Sequence, residues 1–132
     1  MSGPLSGFKV LDMSRVLAGP VATVLLADQG ADVIKVENPA DGGDYVRKGA
    51  NRRGDFSAGF LNNNRNKRSV ALNLKDPRGL EILLKLIADA DVFVQNFRPG
   101  VAERIGLGED ALRKIAPNII YASISGFGDS GP

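Results

Sequence analysis

The side chains most able to bind a charged ligand are the cations between Arg47 and Arg68. This stretch holds seven of them against one acid, so its formal charge is +6 in a chain whose net charge is +2. The seven are Arg47, Lys48, Arg52, Arg53, Arg65, Lys67 and Arg68. Such a segment could bind the phosphates of a nucleotide-like cofactor, follow a nucleic-acid backbone, or be a solvated loop.

Charge alone favours the solvated loop. Nucleic acid is the weaker of the two binding hypotheses, because Phe56 and Phe60 are the only aromatic residues in the stretch and no known binding module matches it. We therefore do not expect a nucleic-acid partner. A polyanion- or RNA-binding module that uses residues 47–68 is kept as the alternative of a different class.

Two arginines and one aspartate are further candidates. Arg98 and Arg104 flank the Pro99-Gly100 turn, and a guanidinium can bind a phosphate through two hydrogen bonds. Their other role would be plain surface charge. Asp12 ends an apolar run and could be a general acid, but a carboxylate there more often accepts hydrogen bonds from its own loop. We favour the loop-anchoring role.

Composition argues against several kinds of chemistry. The chain has no Cys and no His, which removes thiolate chemistry and argues against a zinc site, so we predict no metal. The stretch from Gly126 to Gly131 matches G-x-G-x-x-G. A dinucleotide fingerprint also requires a helix after the glycines and an acid about 20 residues further on, and neither follows here. We assign no such fingerprint.

The elements that position these residues begin with a predicted β-α-β unit. Apolar runs at residues 8–13 and 32–36 are typical of strands buried on both faces. The helix between them is predicted to begin at Pro20, to end at Gly30 in a left-handed cap, and to be buried all round. Parallel strands of this kind end at one edge of a sheet, where open α/β folds bind ligands. The loop at residues 12–19 lies on that edge.

The rest of the chain repeats the alternation of strand and helix. Strands are predicted at residues 69–74, 91–95 and 118–125, a long helix from Pro77, and short helices at residues 55–62, 101–105 and 109–115. Asp76 is a suitable N-cap for the long helix. Residues 38–54 are predicted to be a loop. The pattern indicates one α/β domain with a parallel sheet and flanking helices.

The ends of the chain lead to two expectations. The N-terminus lacks the features of a secretion signal, and no apolar run reaches the roughly 20 residues that span a bilayer. We predict a cytoplasmic protein with no membrane partner. The sequence stops one turn after its last strand, where a covering helix would be usual, so we expect the chain to be part of a longer domain.

Four separated segments resemble the N-terminal part of the family III CoA-transferases. They read LDMSRVLAGPVATVLLADQGADVIKVE, NKRSVALNLKDPRG, ADVFVQNFRPGVAERIGLG and IIYASISGFGDSGP, in this order. The family includes formyl-CoA transferase, carnitine CoA-transferase and the related α-methylacyl-CoA racemases. The likeness extends from Leu5 to Pro132, nearly the whole chain.

The resemblance implies a Rossmann-like fold, an interlocked homodimer, and a site for the ADP part of coenzyme A at the sheet edge. Residues 1–132 would be the CoA-binding N-terminal part of the large domain. The matching cofactor-binding positions are Val16, Leu17, Ala18, Leu72, Asn73, Leu74, Lys75, Asn96, Phe97, Arg98 and Arg104. Many members carry an arginine shortly after the second strand where this chain has Asn38, and Arg47 or one of its neighbours is a candidate to replace it.

The resemblance also implies a reaction. In the family's transferases an aspartate attacks an acyl-CoA thioester, and CoA passes between carboxylic acids through a covalent aspartyl intermediate. That aspartate would lie beyond Pro132, so we assign no catalytic residue and expect the 132-residue chain alone to be inactive. The expected substrates are an acyl-CoA and a carboxylic acid. An α-methylacyl-CoA racemase is the alternative within the superfamily.

Overall fold

The computed structural model describes residues 3–128 and Ser130. Its main strands are β1 (Lys9–Asp12), β2 (Asp32–Glu37), β5 (Arg68–Ala71), β6 (Val92–Gln95) and β7 (Ile120–Ser123). A short hairpin of β3 (Arg52–Arg53) and β4 (Phe56–Ser57) lies outside this set. The five main strands form one parallel sheet in the order β5-β2-β1-β6-β7.

This strand order makes the sheet Rossmann-like. From β1 the chain moves outward to β2 and β5, and then crosses to the other side of β1 to form β6 and β7. The order reverses between β1 and β6, and α/β sheets bind ligands beside such a reversal, at the carboxyl ends of the strands. The predicted fold class is confirmed.

Helices connect the strands on both faces of the sheet. Within the described residues they are α1 (Ala18–Asp28), α2 (Ala58–Asn64), α3 (Pro77–Ala88), α4 (Val101–Arg104) and α5 (Glu109–Ile115), with 3₁₀ turns at Pro39–Asp41 and Tyr45–Lys48. The predicted N-cap of α3 is confirmed, since the Asp76 side chain accepts a hydrogen bond from the Arg78 N–H at 2.9 Å. In the described part of the chain, no helix has the length and apolar character to cross a bilayer.

The first helix starts earlier than predicted. It begins at Ala18 because the Leu17 carbonyl already accepts a hydrogen bond from the Val21 N–H, at 2.9 Å. Pro20 is tolerated within this first turn, where N–H groups have no partner inside the helix. The predicted left-handed exit is confirmed at Gly30, with φ of 99°.

The prediction that α1 is buried all round is wrong for this chain. Its buried positions include Thr23, Val24 and Ala27, whereas Ala22 and Leu25 are exposed, Leu25 by 53%. Because the helix is apolar on nearly every side, its sequence contains no signal for which side faces the sheet.

The core lies on both faces of the sheet. Successive residues of β1 point in opposite directions, so Leu11 packs with Leu83 of α3 and Phe93, while Val10 packs on the other face with Ala27 of α1. Two apolar faces are typical of a parallel sheet covered by helices. This packing determines where the strands end and therefore where the loops gather.

Candidate functional site

The loop between β1 and α1 lies at the carboxyl edge of the sheet, beside the loop that follows β6. The Asn96 amide joins the two loops. Its Oδ1 accepts a hydrogen bond from the Arg15 N–H, and its Nδ2 donates one to the Arg15 carbonyl, both at 2.8 Å. The two loops are thus connected at the reversal of strand order, where a ligand site is expected.

Asp12 anchors the first of these loops. Its Oδ1 accepts hydrogen bonds from the Ser14 N–H, at 2.9 Å, and from the Ser14 hydroxyl. Its Oδ2 accepts from Thr23 Oγ1 at 2.6 Å and from Lys67 Nζ at 3.0 Å. The carboxylate is fully buried, so it is not placed to act as a general acid on a ligand. The loop-anchoring role is confirmed.

A second buried ion pair lies under the same loop. Lys35 Nζ is 3.0 Å from Asp44 Oδ2 and donates a hydrogen bond to the Ser14 carbonyl at 2.9 Å. Asp44 in turn accepts a hydrogen bond from the Val16 N–H. Sequence reasoning missed this pair, because a lysine in an apolar strand and an aspartate in a glycine-rich loop give no local sign that they meet.

Glu37, at the end of β2, binds Arg47 through two hydrogen bonds. Arg47 Nε lies 2.8 Å from Oε1, and Nη2 lies 2.6 Å from Oε2. Burial by itself would raise the pKa of Glu37, but hydrogen bonds from Arg47, the Asp44 N–H and Ser69 outweigh it and lower the pKa to about 2. The Arg47 guanidinium also lies 3.8 Å from the Phe60 ring centroid. These contacts argue against Arg47 as the replacement for a phosphate-binding arginine.

Protonation of Glu37 is expected to lower the free energy of unfolding by roughly 2 to 3 kcal/mol as the pH drops from about 6 to about 2.5. The folded pKa of about 2 lies below the ordinary value of 4.5, so the unfolded chain takes up the proton first. The stabilisation is complete above pH 4.5 and is lost toward pH 2. Urea denaturation of the wild-type protein and Glu37→Gln across this range measures the effect.

The matched control is Glu109→Gln, which removes an exposed partner of Arg113 on α5. Its stability should follow the same pH dependence as the wild-type protein. If Glu37→Gln also retained the wild-type pH dependence, Glu37 would not be the group responsible.

The cationic segment 47–68 is largely neutralised by acids from outside it. Its ion pairs are Arg47–Glu37, Arg65–Asp28, Lys67–Asp12 and Arg68–Asp32. Lys48, Arg52 and Arg53 make no ion pair with any residue in the part of the chain described here. Four of the seven cations are therefore paired with acidic side chains of the same chain, and most of the positive charge of the segment is not available to a polyanion.

A cleft of about 310 Å³ opens beyond the ends of β2 and β5, and we call it the β2 cleft. Its lining consists of Met13, Arg15, Val36, Glu37, Asn38, Leu72, Asn73, Leu74, Lys75, Phe97, Val101 and Ile105. Most of these side chains are apolar, and Arg15 and Lys75 supply positive charge. Such a lining suits a ligand that combines a flat ring with anionic groups.

A second cleft of about 320 Å³ follows the ends of β6 and β7, and we call it the β6 cleft. It is lined by Ala18, Asn96, Phe97, Arg98, Pro99, Ile124, Ser125 and Gly126. Phe97 lines both clefts, so they meet at this side chain.

The predicted cofactor-binding residues divide between the two clefts. Leu72, Asn73, Leu74 and Lys75 line the β2 cleft, Ala18, Asn96 and Arg98 line the β6 cleft, and Phe97 lines both. Val16, Leu17 and Arg104 line neither. All three are exposed, and Arg104 ends α4, the helix whose Val101 lines the β2 cleft.

Sequence reasoning missed several lining residues of the β2 cleft. Arg15 directly follows the first strand, and Val101 and Ile105 are four positions apart, so strand ends and helical spacing could have indicated them. Asn38 uses its Oδ1 to accept a hydrogen bond from the Ala40 N–H, at 3.1 Å. Arg15 lines the same cleft as Asn38, and its ion pair with Asp41 is long, at 3.4 Å, and about half exposed, so Arg15 is a better candidate than Arg47 to supply the charge that position 38 lacks.

Two further predictions concern metals and the glycine-rich end. Among residues 3–128 and 130, no group of three or more His, Cys, Asp or Glu side chains could hold a metal ion. The G-x-G-x-x-G stretch from Gly126 to Gly131 includes Asp129 and Gly131, which lie outside the described residues.

Fold and clefts together define a Rossmann-like α/β protein with a candidate ligand site at the carboxyl edge of its sheet. Comparison with known proteins narrows this class. The family model described as CoA-transferase family III matches residues 5–132, and the chain belongs to this family.

Curated relatives are CoA-transferases that are longer than this chain. Succinyl-CoA:glutarate CoA-transferase of Mus musculus is 52% identical over 129 residues, a match that covers 98% of this chain and 30% of that protein. Formyl-CoA:oxalate CoA-transferase of Streptomyces avermitilis is 50% identical over 133 residues, covering 100% of this chain and 32% of that protein. The chain thus spans about a third of the length of these relatives.

Solved structures show the same fold. A CaiB/BaiF family protein from Brucella suis superimposes with a TM-score of 0.93 at 40% identity, covering all of this chain and 36% of that one. A hypothetical protein from Mycobacterium tuberculosis superimposes with a TM-score of 0.89 at 44% identity, and the match covers 99% of this chain and 35% of that one. The family resemblance seen in the sequence is confirmed.

Proposed function

We propose that this chain supplies the coenzyme A-binding part of an enzyme that moves CoA between carboxylic acids. The observation that supports it most is the β2 cleft, which offers apolar walls for an adenine ring and the cations Arg15 and Lys75 for phosphates. Family membership supports the reaction class. Because the chain spans about a third of its relatives' length, the activity is proposed for the whole enzyme.

The proposed reaction forms a covalent intermediate. An aspartate carboxylate attacks the thioester carbon of the acyl-CoA, and the CoA thiolate leaves, as in other nucleophilic catalysis. No residue of this chain is assigned to that role, and Asp12 and Asp44 are unsuited to it because both are buried in ion pairs. The 132-residue chain alone is expected to give no turnover in a CoA-exchange assay between two acids, and any turnover would contradict this.

The racemase reaction is the alternative within the superfamily. It would exchange a proton on the carbon beside the thioester rather than transfer CoA. The two curated relatives described above act, by their names, as CoA-transferases, which favours transfer.

The proposed enzyme is an interlocked homodimer in the cytoplasm. Leu25 on α1 and Ile120 on β7 are both more than half exposed in this chain, which leaves apolar surface that further packing would bury. The absence of cysteine is compatible with a reducing compartment.

Titration with three ligands tests the proposed binding function. Coenzyme A, dephospho-CoA and a mixed oligonucleotide are added to the purified protein at two salt concentrations. We expect coenzyme A to bind more tightly than dephospho-CoA, and the oligonucleotide to bind weakly. Tight oligonucleotide binding with a steep salt dependence and no response to coenzyme A would instead support the polyanion-binding module.

Replacing Arg104 with alanine is expected to weaken coenzyme A binding by about 1.5 to 3 kcal/mol, or roughly 10- to 150-fold. Arg104 is exposed and has no ion-pair partner among the described residues, so its guanidinium is free to contact a phosphate. Isothermal titration calorimetry measures the change. Lys114→Ala, an exposed cation on α5, is the matched control and should bind normally. Unchanged affinity of Arg104→Ala would leave Arg104 as ordinary surface charge.

A further inference from the structure

Val16 adopts a backbone conformation that β-branched residues rarely take. Its φ is 70°, in the left-handed region, although it is not a glycine. The residue is 49% exposed, so packing in the core does not force this conformation. An interaction with the backbone must therefore stabilise the conformation of Val16.

The carboxylate of Asp44 holds the Val16 backbone. The Val16 N–H points between its two oxygens, at 3.1 Å from Oδ1 and 3.2 Å from Oδ2. Asp44 is itself fixed, because Oδ1 also accepts a hydrogen bond from the Val46 N–H at 3.1 Å. A buried acceptor with two fixed oxygens can hold an N–H that the strained loop would otherwise turn toward solvent.

Lys35 completes the arrangement from below the loop. Its Nζ lies 3.0 Å from Asp44 Oδ2 and donates to the Ser14 carbonyl at 2.9 Å. Both charged side chains are almost fully buried, which is costly unless each has its partner. The Lys35–Asp44 ion pair therefore holds this segment of the loop at both ends. Lys35 binds the Ser14 carbonyl, and Asp44 binds the Val16 N–H.

We propose that Lys35 and Asp44 are positioning residues that hold Val16 in its left-handed conformation and so fix the exposed turn at Val16 and Leu17 at the sheet edge where coenzyme A is proposed to bind. This proposal rests on the proposed function. The turn at Val16 leaves both side chains exposed directly before α1, beside the two clefts. Without the Asp44 carboxylate, Val16 would relax to negative φ and the loop would change course.

The test is a double-mutant cycle on coenzyme A affinity. Asp44→Asn keeps the shape of the side chain but removes its charge, and we expect the dissociation constant to rise at least tenfold. Val16→Gly removes the conformational penalty, because glycine adopts positive φ freely. In the Val16→Gly background, Asp44→Asn should raise the dissociation constant by no more than about threefold.

Two outcomes of the cycle would overturn the proposal. One is no loss of affinity in Asp44→Asn. The other is the same loss in both backgrounds, which would mean that Asp44 acts only through general stability. If Asp44→Asn does not fold, Lys35→Gln/Asp44→Asn replaces it in the cycle, since that variant leaves no unpaired buried charge. The control Asp89→Asn breaks an exposed pair with Lys9 and should leave affinity unchanged.

Amide hydrogen exchange separates this proposal from the proposed function. In Asp44→Asn the Val16 amide should exchange at least tenfold faster, while the amide of Leu83, a fully buried residue in the middle of α3, keeps its protection. This readout does not need coenzyme A. Failure of the wild-type protein to bind coenzyme A would refute the proposed function, whereas unchanged exchange at Val16 would refute the positioning role.

Discussion

Asp12→Ala is expected to lower the free energy of unfolding by about 3 to 5 kcal/mol. The substitution leaves the buried ammonium of Lys67 without its carboxylate, and it removes the acceptor for the Ser14 N–H and one of three acceptors near Thr23 Oγ1. A buried charge without a partner is among the most destabilising changes in a protein interior. Urea denaturation monitored by circular dichroism measures the loss.

Removing both charges should cost less than removing one. In Asp12→Ala/Lys67→Met no buried charge is left unpaired, so we expect this double variant to be more stable than Asp12→Ala alone. The control is Asp32→Ala, whose partner Arg68 is largely exposed, and its effect should stay below about 1 kcal/mol. Equal losses for Asp12→Ala and Asp32→Ala would show that the burial of the first pair has no energetic consequence.

Gly79→Ala is expected to destabilise the protein by about 2 to 3 kcal/mol and to weaken coenzyme A binding tenfold or more. A Cβ at this position of α3 would overlap the Asn73 carbonyl oxygen and lie 3.0 Å from its carbon. These are backbone atoms, so no side chain can rotate away, and the segment Leu72 to Lys75 must move out of the β2 cleft. Alanine favours helix by only about 1 kcal/mol, which does not offset the clash.

Two controls separate the local displacement from general instability. Leu83→Ala creates a core cavity on the same helix and should cost about 2 to 5 kcal/mol, yet it lines neither cleft and should leave affinity unchanged. Gly126→Ala has no atom within 4 Å of the new methyl group and should leave stability unchanged. Normal coenzyme A affinity in Gly79→Ala would mean that the position of residues 72–75 does not matter for binding.

Much of the fold could be predicted because its signals are local. The N-cap Asp76, the proline after it and the helical spacing of apolar residues specify α3 without reference to the rest of the chain. The apolar runs at β1, β2 and β6 predict buried parallel strands in the same way. From these elements it follows that the loops carrying Ala18, Lys75 and Phe97 gather at one edge of the sheet.

The exact ends of the helices and the sides they bury were harder to predict from the sequence. The sequence did not reveal that α1 starts at Ala18 or that Leu25 faces outward, because an evenly apolar helix has no polar side to orient it. It also did not reveal that Phe97 lines two clefts, since this depends on how the loops after β2 and β6 pack against each other.

By itself, the sequence determined the family, the parallel α/β architecture and the edge of the sheet where a ligand would bind. Only the tertiary structure decided the partners of the charged side chains. Lys67 reaches Asp12 across 55 positions, and Arg47 binds Glu37 instead of remaining free. Helices and turns follow from near neighbours and backbone geometry, whereas ion pairing depends on strand register and on which loops are buried together.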